Sequence, residues 1–194
     1  MTARTHDVIA FSALTTMAVI NPPSEITIPT VFACLVGNIV GSLMPDLDQA
    51  TNRLWDLLPW GDNLARIFRS VFLGHRTLSH SILGLLIFDF LLWKLLPVFL
   101  NPSYINPWLV QDAIMIGVIS HLAADAITKD GIPLFFPIPV KIGIPPLTKL
   151  RIKTGGWIEK YMIMPAMAVY IFWLISKNQE VFINLFQTIK AGTG

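Results

Sequence analysis

The chain of 194 residues is 54% hydrophobic and 13% charged, with a mean hydropathy of +0.62 and a formal net charge of +2. Soluble domains are nearer roughly 45–50% apolar, so the composition is that of an integral membrane protein, one membrane-embedded domain over 1–194. The small net charge argues against nucleic acid as a partner, and the lone Cys34, inside an apolar run, leaves no disulfide or thiolate cluster.

Apolar runs of nearly 20 residues predict an all-α bundle of about five transmembrane helices, at 6–20, 27–44, 78–98, 108–127 and 158–176. The first stops at Asn21-Pro22-Pro23, because proline cannot continue the helical hydrogen-bond ladder. A cleaved signal peptide is the weaker reading of that run, since no small-residue cleavage site follows it. Residues 54–72 space their apolar side chains mostly as a helix does, with Arg66 and Arg69 opposed, as expected of a helix lying in the membrane interface. Val181, Phe182, Leu185, Phe186 and Ile189 repeat that pattern more weakly. Pro133 to Leu150 holds five prolines in an apolar context, which predicts a β-hairpin or a folded-over loop instead of a sixth span.

Basic residues collect in the segments 45–77 and 128–160, while the connections 21–26 and 99–107 carry none. Since Lys and Arg accumulate on the cytoplasmic side, the amino terminus is expected inside and the carboxy terminus outside. That topology brings the chemistry-bearing side chains to one face. His6 opens the first span, Asp46 and Asp48 close the second, His75 and His80 stand at the third, His121 and Asp125 close the fourth, and Glu159 opens the fifth.

His121 and Asp125 are four apart, so on a helix they project from one face and can bind one ion together. A hydrogen-bonded polar pair inside the bundle is the competing reading, but ionisable groups in membrane helices are costly and default to function. Asp46 and Asp48 follow Pro45, where a turn directs both carboxylates to one point. His75 and His80, five apart, can share a site only if a turn separates them, and Thr77 or Ser79 is the expected cap of the third span. Arg76 offers a fork for an anionic oxygen. Asp89 and Asp112 read as interhelical polar contacts, with Lys94 a partner for Asp89.

Gly41-Ser42-Leu43-Met44-Pro45-Asp46-Leu47-Asp48, His75-Arg76-Thr77-Leu78-Ser79-His80-Ser81 and Ser120-His121-Leu122-Ala123-Ala124-Asp125-Ala126, in that order, resemble the LexA-regulated membrane-bound metal-dependent hydrolase family, a YdjM-like group. The resemblance continues through Thr128-Lys129-Asp130-Gly131-Ile132-Pro133-Leu134 and Thr154-Gly155-Gly156, covering most of 5–160. Ser79 stands in the family's threonine place with the hydroxyl kept, and Lys129 where a small hydroxyl residue is common. The resemblance implies a metal-dependent hydrolase of the inner membrane.

Seven candidate ligands follow: His6, Asp46, Asp48, His75, His80, His121 and Asp125. Mixed His and Asp without thiolate suits zinc, manganese or iron, and seven exceed the four ligands of one structural zinc, so two ions are expected. Such a centre would activate water for attack on a phosphoester, taken to be membrane lipid or lipid-linked because the site lies at headgroup depth. Arg76 would hold an anionic oxygen, and Asp130 or Glu159 would relay protons. An ion or proton transporter and a metal-stabilised structural protein are the rival classes.

Overall fold

A computed structural model describes residues 1–47 and 77–191. Six α-helices lie among the described residues: α1 (Ala3–Ile20), α2 (Ile28–Leu43), α3 (Ile82–Phe99), α4 (Pro107–Ala126), α5 (Met164–Lys177) and α6 (Gln179–Ala191). Short 3-10 turns follow α2 (Met44–Asp46) and precede α3 (Leu78–His80), and a π-helical turn, Glu159–Ile163, leads into α5. The expected interfacial helix over 54–72 falls outside the described residues.

Among the described residues, three segments are long and apolar enough to cross a membrane, Ile28–Asp46, Ile82–Phe99 and Pro107–Ala126. The all-helical membrane architecture therefore stands, while α1 and α5 fall short of that standard. The reason differs for each. α1 carries Arg4, His6 and Asp7 in its first turns, and α5 has only 14 residues of regular helix.

α4 is the hub. Its buried residues Val110, Ile114, Met115, Val118 and Leu122 form a core with Phe88 of α3 and Ile132 of the following loop. Because lipid is as apolar as these side chains, close packing and polar contacts hold membrane helices together. Here α2 meets α4 through Gly41 and Gly117. A Cβ on Gly41 would stand 2.0 Å from the Ile114 carbonyl oxygen, and one on Gly117 2.4 Å from that of Asn38. The backbones approach that closely only because neither residue has a side chain, and the Asn38 amide then reaches the Ala113 carbonyl at 3.0 Å.

Helix ends follow local chemistry, with one correction. Asn21 ends α1 before the two prolines, and Asn106 caps α4, its Oδ1 accepting from Trp108 N at 3.0 Å, with Pro107 at the first helical position. α3 is capped by Ser81, whose Oγ accepts from Gly84 N at 3.1 Å, and not by Thr77 or Ser79. The extended backbone of Ser81 breaks the helix there, so His80 sits in the preceding 3-10 turn instead of the first turn of the span.

The proline-rich segment is a loop, the second of the two forms its sequence allows. Isolated bridges pair Ile132 with Ile142 and Thr128 with Ile152, and no strand is formed among the described residues. Ile144 N donates to the Ala126 carbonyl at 2.8 Å and Ile82 N to that of Leu134 at 3.0 Å, so the loop folds against the end of α4 and the start of α3.

Candidate metal centre

Five of the seven expected ligands lie among the described residues, and all five meet at one end of the bundle. α1 supplies His6 from its first turns, the turn after α2 supplies Asp46, the turn before α3 supplies His80, and the last two turns of α4 supply His121 and Asp125. Asp48, His75 and Arg76 lie outside the described residues.

Asp125 is the centre of the arrangement. Its Oδ1 is 3.4 Å from His6 Nε2, and its Oδ2 is 3.7 Å from His80 Nε2 and 3.8 Å from His121 Nε2. Asp46 Oδ1 lies 3.4 Å from His80 Nε2 and 3.8 Å from His121 Nε2. The rings of His6 and His121 stack with centroids 3.7 Å apart, and His80 meets His121 edge-on at 5.3 Å. His6, His80, His121 and Asp125 are buried to 1% exposure or less, whereas Asp46 keeps 24% and marks the side that solvent reaches.

Two triads, His6 with His121 and Asp125, and Asp46 with His80 and His121, each bring their ligand atoms within 4.8 Å of one another. Burying polar atoms without partners costs several kcal/mol in an apolar surround. Yet both ring nitrogens of His6, Asp46 Oδ1 and His121 Nε2 are buried and make no hydrogen bond. A divalent cation in either triad would satisfy His121 Nε2 together with Asp46 Oδ1 or with one ring nitrogen of His6, whose two nitrogens point apart and cannot bind the same ion. The Met1 amino group donates to Asp125 Oδ1, so positive charge already lies against this carboxylate.

The surrounding contacts orient the rings. His121 Nδ1 donates to the Ser42 carbonyl at 2.6 Å, which fixes the tautomer and leaves Nε2 as the lone-pair donor into the cluster. Ser79 Oγ lies 3.0 Å from His80 Nδ1. Burial alone would lower the His80 pKa, but the Asp125 and Asp46 carboxylates outweigh it and hold the imidazolium above its ordinary range. A proton and a metal ion therefore compete for this ligand.

Glu159 stands behind His6. Its buried carboxylate accepts from Thr2 N at 2.7 Å, Thr2 Oγ1 at 2.8 Å, Thr5 Oγ1 at 2.6 Å and Gly155 N at 2.7 Å. Four donors on one carboxylate suit an anchor for the first turn of α1 better than a proton relay. Asp130 is exposed in the turn after α4. Asp89 makes the expected interhelical contact, but with Gln111, whose Nε2 donates to Asp89 Oδ1 at 2.7 Å, while Lys94 lies 4.3 Å over the Trp93 ring.

Gly41 and Ser42 open the first family motif, but the sequence alone assigns no role to Ser42, Thr2, Thr5 or the close-packed glycines. Gly37 and Gly41 are four apart in an apolar run, the spacing that lets membrane helices approach, and so were within reach. The Ser42 contribution is a backbone carbonyl and carries no sequence signal.

The fold and the cluster define a helical membrane protein with a buried His/Asp site able to hold a metal ion. The chain belongs to the YdjM inner membrane protein family, whose model matches residues 1–182. It is 31% identical over 138 residues to the uncharacterized protein YvsG of Bacillus subtilis (strain 168), covering 70% of this chain and 76% of that one. It is 29% identical over 140 residues to the inner membrane protein YdjM of Escherichia coli (strain K12), covering 70% of this chain. The match spans 63% of that relative's length. No solved structure matches the chain.

Proposed function

We propose that this protein is a membrane-bound metal-dependent hydrolase acting on a phosphoester, lipid-linked or a membrane lipid, at the cytoplasmic face. The observation that carries the reading is the convergence of buried, unpartnered ligand atoms from separate segments at one end of the bundle. Ligand atoms about 2.1 Å from one tetrahedral ion stand about 3.4 Å apart. The spacings of 3.4 to 3.8 Å around Asp125 and Asp46 are close to that, which supports an ion held by His6, His121 and Asp125 or by Asp46, His80 and His121, the two triads meeting at His121. A second ion would draw on Asp48 and His75. Zinc, manganese and iron all suit the donor set.

When bound, a divalent ion supplies Lewis acidity that acidifies water and stabilises charge on a phosphoryl oxygen. The chain supplies the rest. Asp125 spans the imidazoles with its two oxygens, the Ser42 carbonyl sets the His121 ring, and Asp46 borders the solvent side where substrate enters. Arg76 binds an anionic substrate oxygen, and the exposed Asp130 takes the proton-relay role. α1 and the Glu159–Lys177 segment serve as two further spans, giving five, with the amino terminus cytoplasmic as the basic segments 45–77 and 128–160 require.

The test is elemental analysis of protein purified without chelator, followed by hydrolysis assays on phospholipid, lipid pyrophosphate and a generic phosphodiester with zinc, manganese or iron. Bound metal and metal-dependent turnover are expected, with Arg76→Ala keeping the metal and losing about 100- to 1000-fold in rate. Absence of metal even after reconstitution would remove the centre. Metal without hydrolysis, together with ion movement in proteoliposomes, would replace the hydrolase by a transporter.

A further inference from the structure

Between Asp130 and Glu159 the chain carries Lys141, Lys149, Arg151 and Lys153 and no carboxylate. The same stretch leaves Phe135, Ile138, Val140, Ile144, Leu147 and Leu150 more than half exposed. So much bare apolar surface marks an interaction site. Its position says with what. The loop is fastened to the end of α4 and the start of α3, where two apolar spans leave the bilayer.

Irregular backbone is ordinarily kept out of lipid by its unsatisfied N–H and C=O groups. This loop has few to satisfy. Pro133, Pro137, Pro139, Pro145 and Pro146 have no N–H at all. Ile132 and Ile142 exchange both their hydrogen bonds at 2.8 Å, and Phe136 N and Ile138 N donate within the loop at 3.0 Å. The Arg151 guanidinium turns inward and donates to the carbonyls of Pro145 at 2.7 Å, Pro146 at 3.0 Å and Gly143 at 3.1 Å. Gly143 makes room for it, since a Cβ there would stand 2.3 Å from that guanidinium. Arg151 is thus committed to holding the loop, while Lys141, Lys149 and Lys153 remain exposed around the apolar tip.

We propose that the loop 133–150 is a lipid-docking wedge. It seats its apolar side chains at the headgroup–acyl boundary of the leaflet on the metal-centre side, and Lys141, Lys149 and Lys153 select anionic phospholipid headgroups there. Basic residues near the surface of an anionic leaflet are attracted within a Debye length, and apolar side chains beside them supply the insertion. The inference does not depend on turnover at the metal centre.

The test uses the full chain in lipid nanodiscs, with nitroxide labels placed singly at Ile138, Leu147 and, as a control, Ser103, in a Cys34→Ser background. One set of discs is phosphatidylcholine alone, and in the other phosphatidylglycerol replaces half of it. Collisions with oxygen are expected to exceed those with a water-soluble nickel chelate at Ile138 and Leu147, with an immersion of roughly 5–10 Å, and the reverse at Ser103. Immersion should be deeper in the anionic discs, and Lys141→Glu/Lys149→Glu/Lys153→Glu should abolish that difference. Predominant chelate collisions at both loop positions would place the loop in water and overturn the proposal. Rare collisions with both agents would show another part of this chain covering the loop, and would overturn it equally. Equal immersion in the two lipids would overturn the anionic headgroup as the partner.

Discussion

The two ends of the bundle both bury polar side chains, uncharged threonine and asparagine at one and histidine and aspartate at the other, and treat them in opposite ways. At the end away from the metal centre, Thr27 Oγ1 accepts from Thr30 N at 3.3 Å and donates to the Tyr104 carbonyl at 2.7 Å. There Thr30 Oγ1 accepts from Asn106 N at 3.0 Å, and Asn106 Oδ1 in turn caps α4. These side-chain oxygens end on backbone groups of a neighbouring turn or helix, and the result is a closed clasp between α2 and α4. At the other end, His6, Asp46 and His121 turn buried atoms toward one another without a hydrogen bond. Polar residues in a membrane bundle are therefore not a site by their presence. What marks a site is a group of buried acceptors that the fold brings together and leaves for something else to satisfy.

The sharpest way to break the contrast is to remove a ligand. His121→Ala or Asp125→Ala is expected to abolish metal binding, read as metal content per chain, because His121 belongs to both triads and the Asp125 carboxylate faces all three imidazoles. Retained stoichiometry in both variants would erase the distinction between the two ends.

A second variant acts on the support of the site. Gly41→Ala or Gly117→Ala forces α2 and α4 apart, at an overpacking cost of about 1–3 kcal/mol. Since that approach also delivers the Ser42 carbonyl to His121 Nδ1, metal affinity should fall about 10- to 100-fold, measured by titration with a competing chelator. Glu159→Gln weakens the anchor of α1. Hydrogen bonds to a charged group are worth about 1.5–3 kcal/mol, so a lowered unfolding midpoint is expected, with metal still bound but up to about tenfold more weakly through displaced His6. An effect on turnover alone, with stability and affinity unchanged, would instead give Glu159 a chemical role.

The smallest effect belongs to the clasp. Asn106→Ala should cost about 1 kcal/mol as an ordinary lost helix cap and leave metal affinity at the wild-type value. A large loss of metal from that variant would show the two ends to be energetically coupled.

Side-chain chemistry is what the sequence makes legible. His121 and Asp125 declare themselves by helical spacing, and the spans by their length, so alternation alone carries His6, Asp46 and His80 to the same end. Partners that are backbone leave no trace, which is why the Ser42 carbonyl and the bonds from Thr2 N and Gly155 N to Glu159 are out of reach. The cap of α3 escapes the sequence for a local reason. Three hydroxyl residues, Thr77, Ser79 and Ser81, compete within five positions, and the extended backbone that decides for Ser81 is a property of the turn around His80. The span count depends on apolarity, and α1 loses much of its own to Arg4, His6 and Asp7 in its first turns.

The anchor on Glu159 also has a bearing on how the protein is assembled. Thr5 and Glu159 are 154 positions apart, yet their contact fixes the turn that carries His6. During synthesis the first helix emerges long before the residue that clamps it. All five ligands have been made by the end of α4, with α1 already in contact with Ser42 and Asp125 but not yet with Glu159. The Glu159 clamp is thus added only when the segment entering α5 has been made, and a chain truncated before Gly155 would lack it while keeping the contacts of α1 with Ser42 and Asp125.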